Sequence, residues 1–312
     1  MQTLWGLRAR LRRAKANNRR HRVAIFHCSV RVHSRSRGES ATAGAAYRLG
    51  ARIVDARTGV IHDYRRRGGV AAAFTLLPPD APAALAEPAA LWNAAEAGER
   101  RGNSCVSREV LVALPAELTD AQREALAREL AAWLVDRYAV GVSVGLHRPE
   151  RGANWHAHLL TTTRRVSALG VAEKVRVLDD KTTGPLEIEA IRAEVARATN
   201  AALTRAALPG RVDHRTLAIQ RLDALEAGNI RAALELDRVP TQHHGRAPKR
   251  AALARAANAV ILAANRQRLR SLLRHWAALL LAALREGVPA PPRLAAQPPP
   301  RPRLTRRPGR RL

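Results

Sequence analysis

Residues 140–166 read VGVSVGLHRPERGANWHAHLLTTTRRV. The opening VGVSVGLH suits a strand, and so does the closing HAHLLTTTRRV, which is rich in β-branched residues. Only residues 148–155 join the two. A parallel crossover needs a dozen residues or more, so the two strands must run antiparallel. An antiparallel pair in mid-chain, with helical patterns before and after it, sets the expectation for the fold.

Working outward, VAIFHCSVRV from Val23 and REVLVALP, which Pro115 ends, also fit strands. SRSRGESATAGAAYRLGARI looks like a polar turn entering a helix whose small residues permit close packing. DARTGVIHDYRRRGGV is punctuated by Gly59, Gly68 and Gly69 and reads as a hairpin or loop. EPAALWNAAEAGERR is helical, with Leu91, Trp92 and Ala95 on one face. Thr119 and Gln122 fit a capping box ahead of Leu126, Leu130 and Trp133. A further helix is expected from Leu186 to Ala207. The class is α+β, a central antiparallel sheet flanked by helices. Four segments follow: a basic extension over 1–22, a mixed domain over 23–245, a helical segment over 246–287 and a disordered Pro/Arg-rich tail over 288–312. The leucine stripe of the third segment (Leu269, Leu272, Leu273, Trp276, Leu279, Leu280) reads as packing. Met1–Arg22 admits three readings: a nucleic-acid-binding arm, a presequence, or an extension upstream of the true start.

The 312 residues carry 54 Lys and Arg against 26 Asp and Glu, a formal charge of +28. All but four of the basic residues are arginine. An excess of this size points to a polyanionic partner. The longest uncharged apolar run, Trp276 to Leu284, is too short to span a bilayer, so no membrane segment is expected. Two cysteines, Cys28 and Cys105, make neither a disulfide framework nor a metal-type pair.

The chemical signal lies in the histidines. His156 and His158 are two apart, so on a strand they share a face. His147 ends the preceding strand and can lie opposite them if the two strands pair around their short connection. Three imidazoles would then hold one divalent ion and leave positions open for water or substrate. A chain with 11 histidines also contains His-x-His by chance. Asp179 and Asp180 fit a solvated turn better than ligation, and His243 and His244 fit a loop. The sequence contains neither a P-loop nor His-Glu-x-x-His. A nucleophile would be water activated by the metal or one of three tyrosines. Tyr138 reads as a packing residue and Tyr64 as a loop residue. Tyr47 follows a run of small side chains.

Several ordered motifs together resemble the MobA/MobL family of plasmid mobilisation relaxases. They are AIFHCSV with SRSRGESATAGAAYR, then HDY-x-RRGGV, LPPDAP with LWNAAE, REVLVALPAEL, HAHLLTTTR, VDHRTL and PTQHHG. The resemblance spans about Val23 to Gly245. It implies an HUH-type nuclease that nicks and rejoins one DNA strand at an origin of transfer through a 5′-phosphotyrosyl intermediate. Tyr47 matches the family's tyrosine, and His147, His156 and His158 match its metal ligands, with Mg²⁺ or Mn²⁺ the implied ion. Arg35, Arg65, Arg66, Arg67 and Arg164 are the expected contacts to DNA, with Glu109 in support and His27 or His33 a candidate base. At Leu111 relatives often carry a second carboxylate; Phe26 and Val195 also depart from the family pattern. The implied partners are single-stranded or hairpin origin DNA, auxiliary mobilisation proteins and the coupling protein of a type IV secretion system. The implied location is the bacterial cytoplasm, with transfer alongside DNA into a recipient. The alternatives are an HUH-type replication initiator and a non-catalytic basic DNA-binding protein.

Overall fold

The computed structural model describes residues 26–148, 154–242 and 248–285. The basic extension, the Pro/Arg-rich tail and the pair His243–His244 lie outside the described residues. Contacts divide the chain into two compact units, one through His214 and one from Arg215.

In the first unit the main sheet has the order β1 (Cys28–Ser34), β5 (Cys105–Ala113), β7 (His156–Ser167), β6 (Val140–His147), β4 (Val70–Leu76), with β8 (Gly170–Lys174) pairing the far end of β7. Every pairing is antiparallel. The antiparallel α+β class expected from residues 140–166 is therefore the class observed, with β7 at its centre. A separate ribbon joins β2 (Arg52–Val54) to β3 (Ile61–Asp63). Its turn and β3 fall in the stretch read as a hairpin or loop, and β2 just precedes it. Asp55 starts its turn, accepting from the amides of Arg57 and Thr58, and Gly59 supplies a φ of 74°.

Side-chain alternation gives the two sheet faces different tasks. Val110, Val112, Val140, Val142, Val144, Leu146, Ala157 and Leu159 point to one face. There they bury against α3 (Asp120–Tyr138) and α4 (Thr183–Arg205), which contribute Leu126, Leu130, Leu134, Ile191 and Val195. The expected capping box starts α3. The Thr119 hydroxyl accepts from the Gln122 amide at 3.3 Å, and the Gln122 side chain accepts from the Thr119 amide at 2.9 Å.

The opposite face carries α1 (Ala41–Leu49) and α2 (Pro88–Ala97). Ala41, Ala45 and Ala46 are fully buried, so α1 lies close to the sheet. Gly145 of β6 allows the closest approach, because a methyl group there would overlap the Arg48 carbonyl. The start of α1 is held by buried Glu96, which accepts from the Ala41 amide at 2.6 Å.

The second unit contains α5 (Leu217–Glu226), α6 (Ile230–Leu236) and α7 (Pro248–Arg285). The described part of the segment expected to be helical over 246–287 is a single helix of 38 residues. No described helix is long and apolar enough to cross a membrane.

Candidate active site

The β6–β7 register sets His147 directly opposite His156 and Gly145 opposite His158. The three rings lie within 4.4–5.2 Å of one another, centroid to centroid. Each offers a ligand atom, and these atoms all lie within 4.8 Å of one another. The donor set fits a small divalent ion with open positions.

Each ring is also fixed from outside by an oxygen. The Nε2 of His147 donates to the Arg48 carbonyl at 2.8 Å. His156 places Nδ1 2.8 Å from the Asn154 carbonyl. His158 Nδ1 lies 2.5 Å from Glu109 Oε1. A hydrogen bond of this kind selects the tautomer whose other nitrogen carries the lone pair. Burial brings the His147 pKa down to about 4, and the neighbouring His158, Arg67 and His156 act in the same sense against the bond to Arg48. The ring is neutral at pH 7, the state in which an imidazole can bind a metal.

Glu109 anchors the layer behind the histidines. Burial opposes its ionisation. Hydrogen bonds from Arg48, His158 and His33, with the charge of Arg48, outweigh it and hold the carboxyl far below the usual carboxylate range. Arg48 grips it with two parallel bonds, Nε to Oε1 at 2.6 Å and Nη2 to Oε2 at 2.9 Å. Arg48 Nη2 also lies 3.0 Å from His33 Nε2, and His33 Nδ1 lies 3.1 Å from Glu39. One residue, Arg48, therefore touches His147 with its backbone and reaches His158 through Glu109 with its side chain. Sequence reasoning does not single out Arg48 or Glu39. The available signal is position, since Arg48 directly follows Tyr47 in the AAYR motif.

Tyr47 sits one residue earlier, in the last turn of α1. Its ring is held on two sides. The Arg67 guanidinium stacks 3.8 Å from the ring centroid, and Tyr64 meets the ring edge-on at 5.3 Å. Arg67 also donates to the Tyr47 carbonyl at 2.6 Å. Tyr138 is placed differently. It is buried under α4, donates to Glu187 at 2.8 Å, and has its hydroxyl pKa raised by burial.

The other expected DNA contacts separate. Arg66 is exposed, and Arg65 is exposed and paired with Asp63. Arg164 donates to buried Glu99 at 3.0 Å and to the Ala172 carbonyl. Arg35 directs all its guanidinium nitrogens at protein oxygens: Nε and Nη2 at Glu96, Nη1 at the carbonyls of Glu99 and Arg101. These bonds engage all five of its N–H donors within the protein. His27 lies at the end of β1, its carbonyl accepting from Ala113, the residue opposite His156. GVSVG, residues 141–145, has the spelling of a nucleophile elbow, which requires an exposed serine on a strand-to-helix turn. Ser143 is instead buried in mid-strand, accepting from the Trp92 indole at 3.0 Å.

Known proteins share this chain's motifs and fold. The MobA/MobL family model matches residues 39–252. This chain belongs to the MobA/MobL family. Among its curated relatives is the mobilization protein MobL of Acidithiobacillus ferridurans, 37% identical over an alignment of 231 residues that covers 65% of this chain and 60% of that protein. A probable mobilization protein MobA of Bifidobacterium longum is 40% identical over 146 residues, 46% of this chain and 26% of its own. The conjugal transfer protein TraA of Agrobacterium fabrum is 34% identical over 172 residues, 51% of this chain and 15% of its own. The chain thus matches between about a seventh and three fifths of these relatives' lengths. A solved structure from work on the molecular basis of vancomycin resistance transfer in Staphylococcus aureus aligns with a TM-score of 0.56 and 27% identity, over 62% of this chain and 99% of that one. The MobA/MobL match includes Tyr47, all three clustered histidines and Glu109.

Proposed function

We propose that this MobA/MobL protein is a relaxase, a metal-dependent single-strand DNA endonuclease and transesterase that starts plasmid mobilisation at an origin of transfer. The observation that carries the reading is the cluster of His147, His156 and His158, tied through Arg48 to the turn of α1 that bears Tyr47. A divalent ion, Mg²⁺ or Mn²⁺ by family analogy, would supply Lewis-acid polarisation of a phosphoryl oxygen. The protein's own groups do the rest. Glu109 and the carbonyls of Arg48 and Asn154 orient the rings. Arg67 and Tyr64 fix the Tyr47 ring. The Tyr47 hydroxyl attacks phosphorus, an Oη–P bond forms as the P–O3′ bond breaks, and the proton lost by the phenol is balanced by the one gained at the 3′ oxygen. The bond energy stays in the phosphotyrosine, so reversal rejoins the strand. Arg65, Arg66 and Arg67 on the connection from β3 to β4 serve backbone phosphates, with Arg164 more deeply placed.

Within this reading the nuclease domain expected over 23–245 has its core in the unit that ends at His214, with 246–287 a helical appendage and 288–312 a basic tail. The partners are single-stranded or hairpin origin DNA, auxiliary mobilisation proteins and a type IV secretion coupling protein. The protein acts in the bacterial cytoplasm and enters the recipient with the DNA. Three rival readings remain: a water-dependent hydrolase, an HUH-type replication initiator and a non-catalytic DNA-binding protein.

The deciding experiment is denaturing electrophoresis of labelled origin DNA incubated with protein and Mn²⁺. Wild type should give a covalent adduct that maps to Tyr47. Tyr47→Phe should lose the adduct and strand rejoining while keeping the fold. Tyr64→Phe and Tyr138→Phe should keep the adduct. Cleavage without any adduct would establish water as the nucleophile and sink the relaxase mechanism.

A further inference from the structure

The 38 residues of α7 contain no Asp or Glu. Compositional bias toward Ala and Arg does not account for this. The helix α3, also rich in Ala, Leu and Arg, carries Asp120, Glu124, Glu129 and Asp136 beside Arg123, Arg128 and Arg137. The basic residues of α7 are also ordered. At ~100° per residue, Arg255, Arg266, Arg270, Arg274 and Arg285 fall within a sector of roughly 120°. All five are exposed. Among the described residues none of them forms an ion pair, whereas Arg268, which lies off this sector, pairs with Asp237 at 2.8 Å.

The opposite side of α7 is already engaged within its own unit. Asn258 exchanges two hydrogen bonds with the backbone of Gln242, and Asn265 does the same with Val239. Trp276 continues that side at helical spacing and is half-buried. The arginine sector is therefore the outward one in this unit. Arg266, Arg270 and Arg274 are successive i,i+4 neighbours of like charge, a spacing that works against an isolated helix. A polyanion laid along the row reverses the sign of that cost.

We infer that this row is a phosphate-binding surface for duplex DNA, on a unit different from the one that holds the histidine cluster. From Arg255 to Arg285 the row runs ~45 Å at 1.5 Å per residue. A row of this length along one helix matches the extended, evenly charged backbone of a duplex. Single strands are held by aromatic platforms, and the sole aromatic residue of α7, Trp276, faces the other way. Guanidinium groups without aromatic neighbours neutralise phosphates regardless of sequence. The surface would hold the protein on double-stranded DNA and leave sequence choice to other residues.

The test uses the full chain and a random-sequence duplex, with affinity measured by fluorescence anisotropy across a salt series. The quadruple variant Arg255→Gln/Arg266→Gln/Arg270→Gln/Arg274→Gln should bind more weakly. Its log–log salt slope should be shallower by about 0.9 for each phosphate that is no longer neutralised, about 3 to 4 in all. The matching Arg→Lys quadruple variant should keep the wild-type slope, and so should Arg268→Gln. Far-UV circular dichroism reports whether the helix survives. Cleavage of a short single-stranded origin oligonucleotide should be the same in wild type and the Gln variant, so a failure of the nuclease reading shows in both proteins and leaves the duplex result legible. An unchanged slope in a folded Gln variant overturns the inference. So does loss of polyglutamate binding with duplex binding intact, which would make the partner an acidic protein.

Discussion

The two faces of the main sheet use the same strands to opposite ends. Toward α3 and α4, β5, β6 and β7 present valine, leucine and alanine, and the helices answer with leucine and isoleucine. Toward α1 and α2 the same strands present, beside an apolar patch with Val106 and Leu160, the polar Glu109, Ser143, His147, His156 and His158, and the helix layer answers the polar groups with Arg48 and Trp92. The first face needs only volume and apolarity, which many side chains supply. The second needs donors matched to acceptors one by one, because a buried polar group without a partner is costly. The matched polar groups thus lie on one face only, beside that face's own apolar patch, and substitutions of the polar groups and of the opposite apolar face should fail in different ways.

The largest effect is expected on the polar face. Glu109→Gln leaves Arg48 buried without its counter-charge, and breaking such a pair costs about 3–5 kcal/mol. It also replaces the charged acceptor of His158 with a neutral amide, so Mn²⁺ affinity should fall ~10–100-fold. Denaturant unfolding and calorimetric metal titration check the two effects separately. An affinity loss without a stability loss would mean that Arg48 finds another partner.

On the apolar face, Leu126→Ala should cost about 2–5 kcal/mol in denaturant unfolding. Leu126 is fully buried among Leu, Val and Ala side chains. In the folded fraction its Mn²⁺ affinity should match wild type. A shift in metal affinity would show that the faces are coupled through the strands and break the contrast.

Gly145→Ala gives the smallest stability effect, about 1–3 kcal/mol from overpacking. Its direction is the informative part. The added methyl pushes against the Arg48 carbonyl, the acceptor of His147. Metal affinity should drop along with stability, and His147 should show the largest change in imidazole NMR shift of the three ligands.

The apolar face and the histidine row are both legible in the sequence, for related reasons. Periodicity two and a short link dictate which side chains share a face and which lie opposite, so His147, His156 and His158 come together without reference to a helix. The Thr119–Gln122 box is legible because capping is local. Two strands carry weak signals. The pattern of β4 is alanine-rich, VAAAFTL, and lacks the β-branched run that marks a strand, while β8 is only five residues long. Arg48 and Arg35 are illegible for a deeper reason. In a chain this rich in arginine, residue type does not distinguish a guanidinium aimed at phosphate from one buried on a carboxylate. Only tertiary partners 61 residues away, Glu109 and Glu96, make the distinction.

The bond from His147 to the Arg48 carbonyl has an electrostatic meaning of its own. That carbonyl belongs to the last turn of α1, where backbone oxygens lack partners within the helix. The helix macrodipole places partial negative charge at this end, and cations there gain ~0.3–1 kcal/mol. Helices that bind phosphate directly present the opposite, N-terminal end. At the C-terminal end of α1 a bare phosphate is repelled and a cation is welcomed. In the proposed relaxase reading a scissile phosphate near Tyr47 would need positive charge to offset this field; Arg67, which donates to the Tyr47 carbonyl, supplies part of it, and a bound divalent ion would supply more.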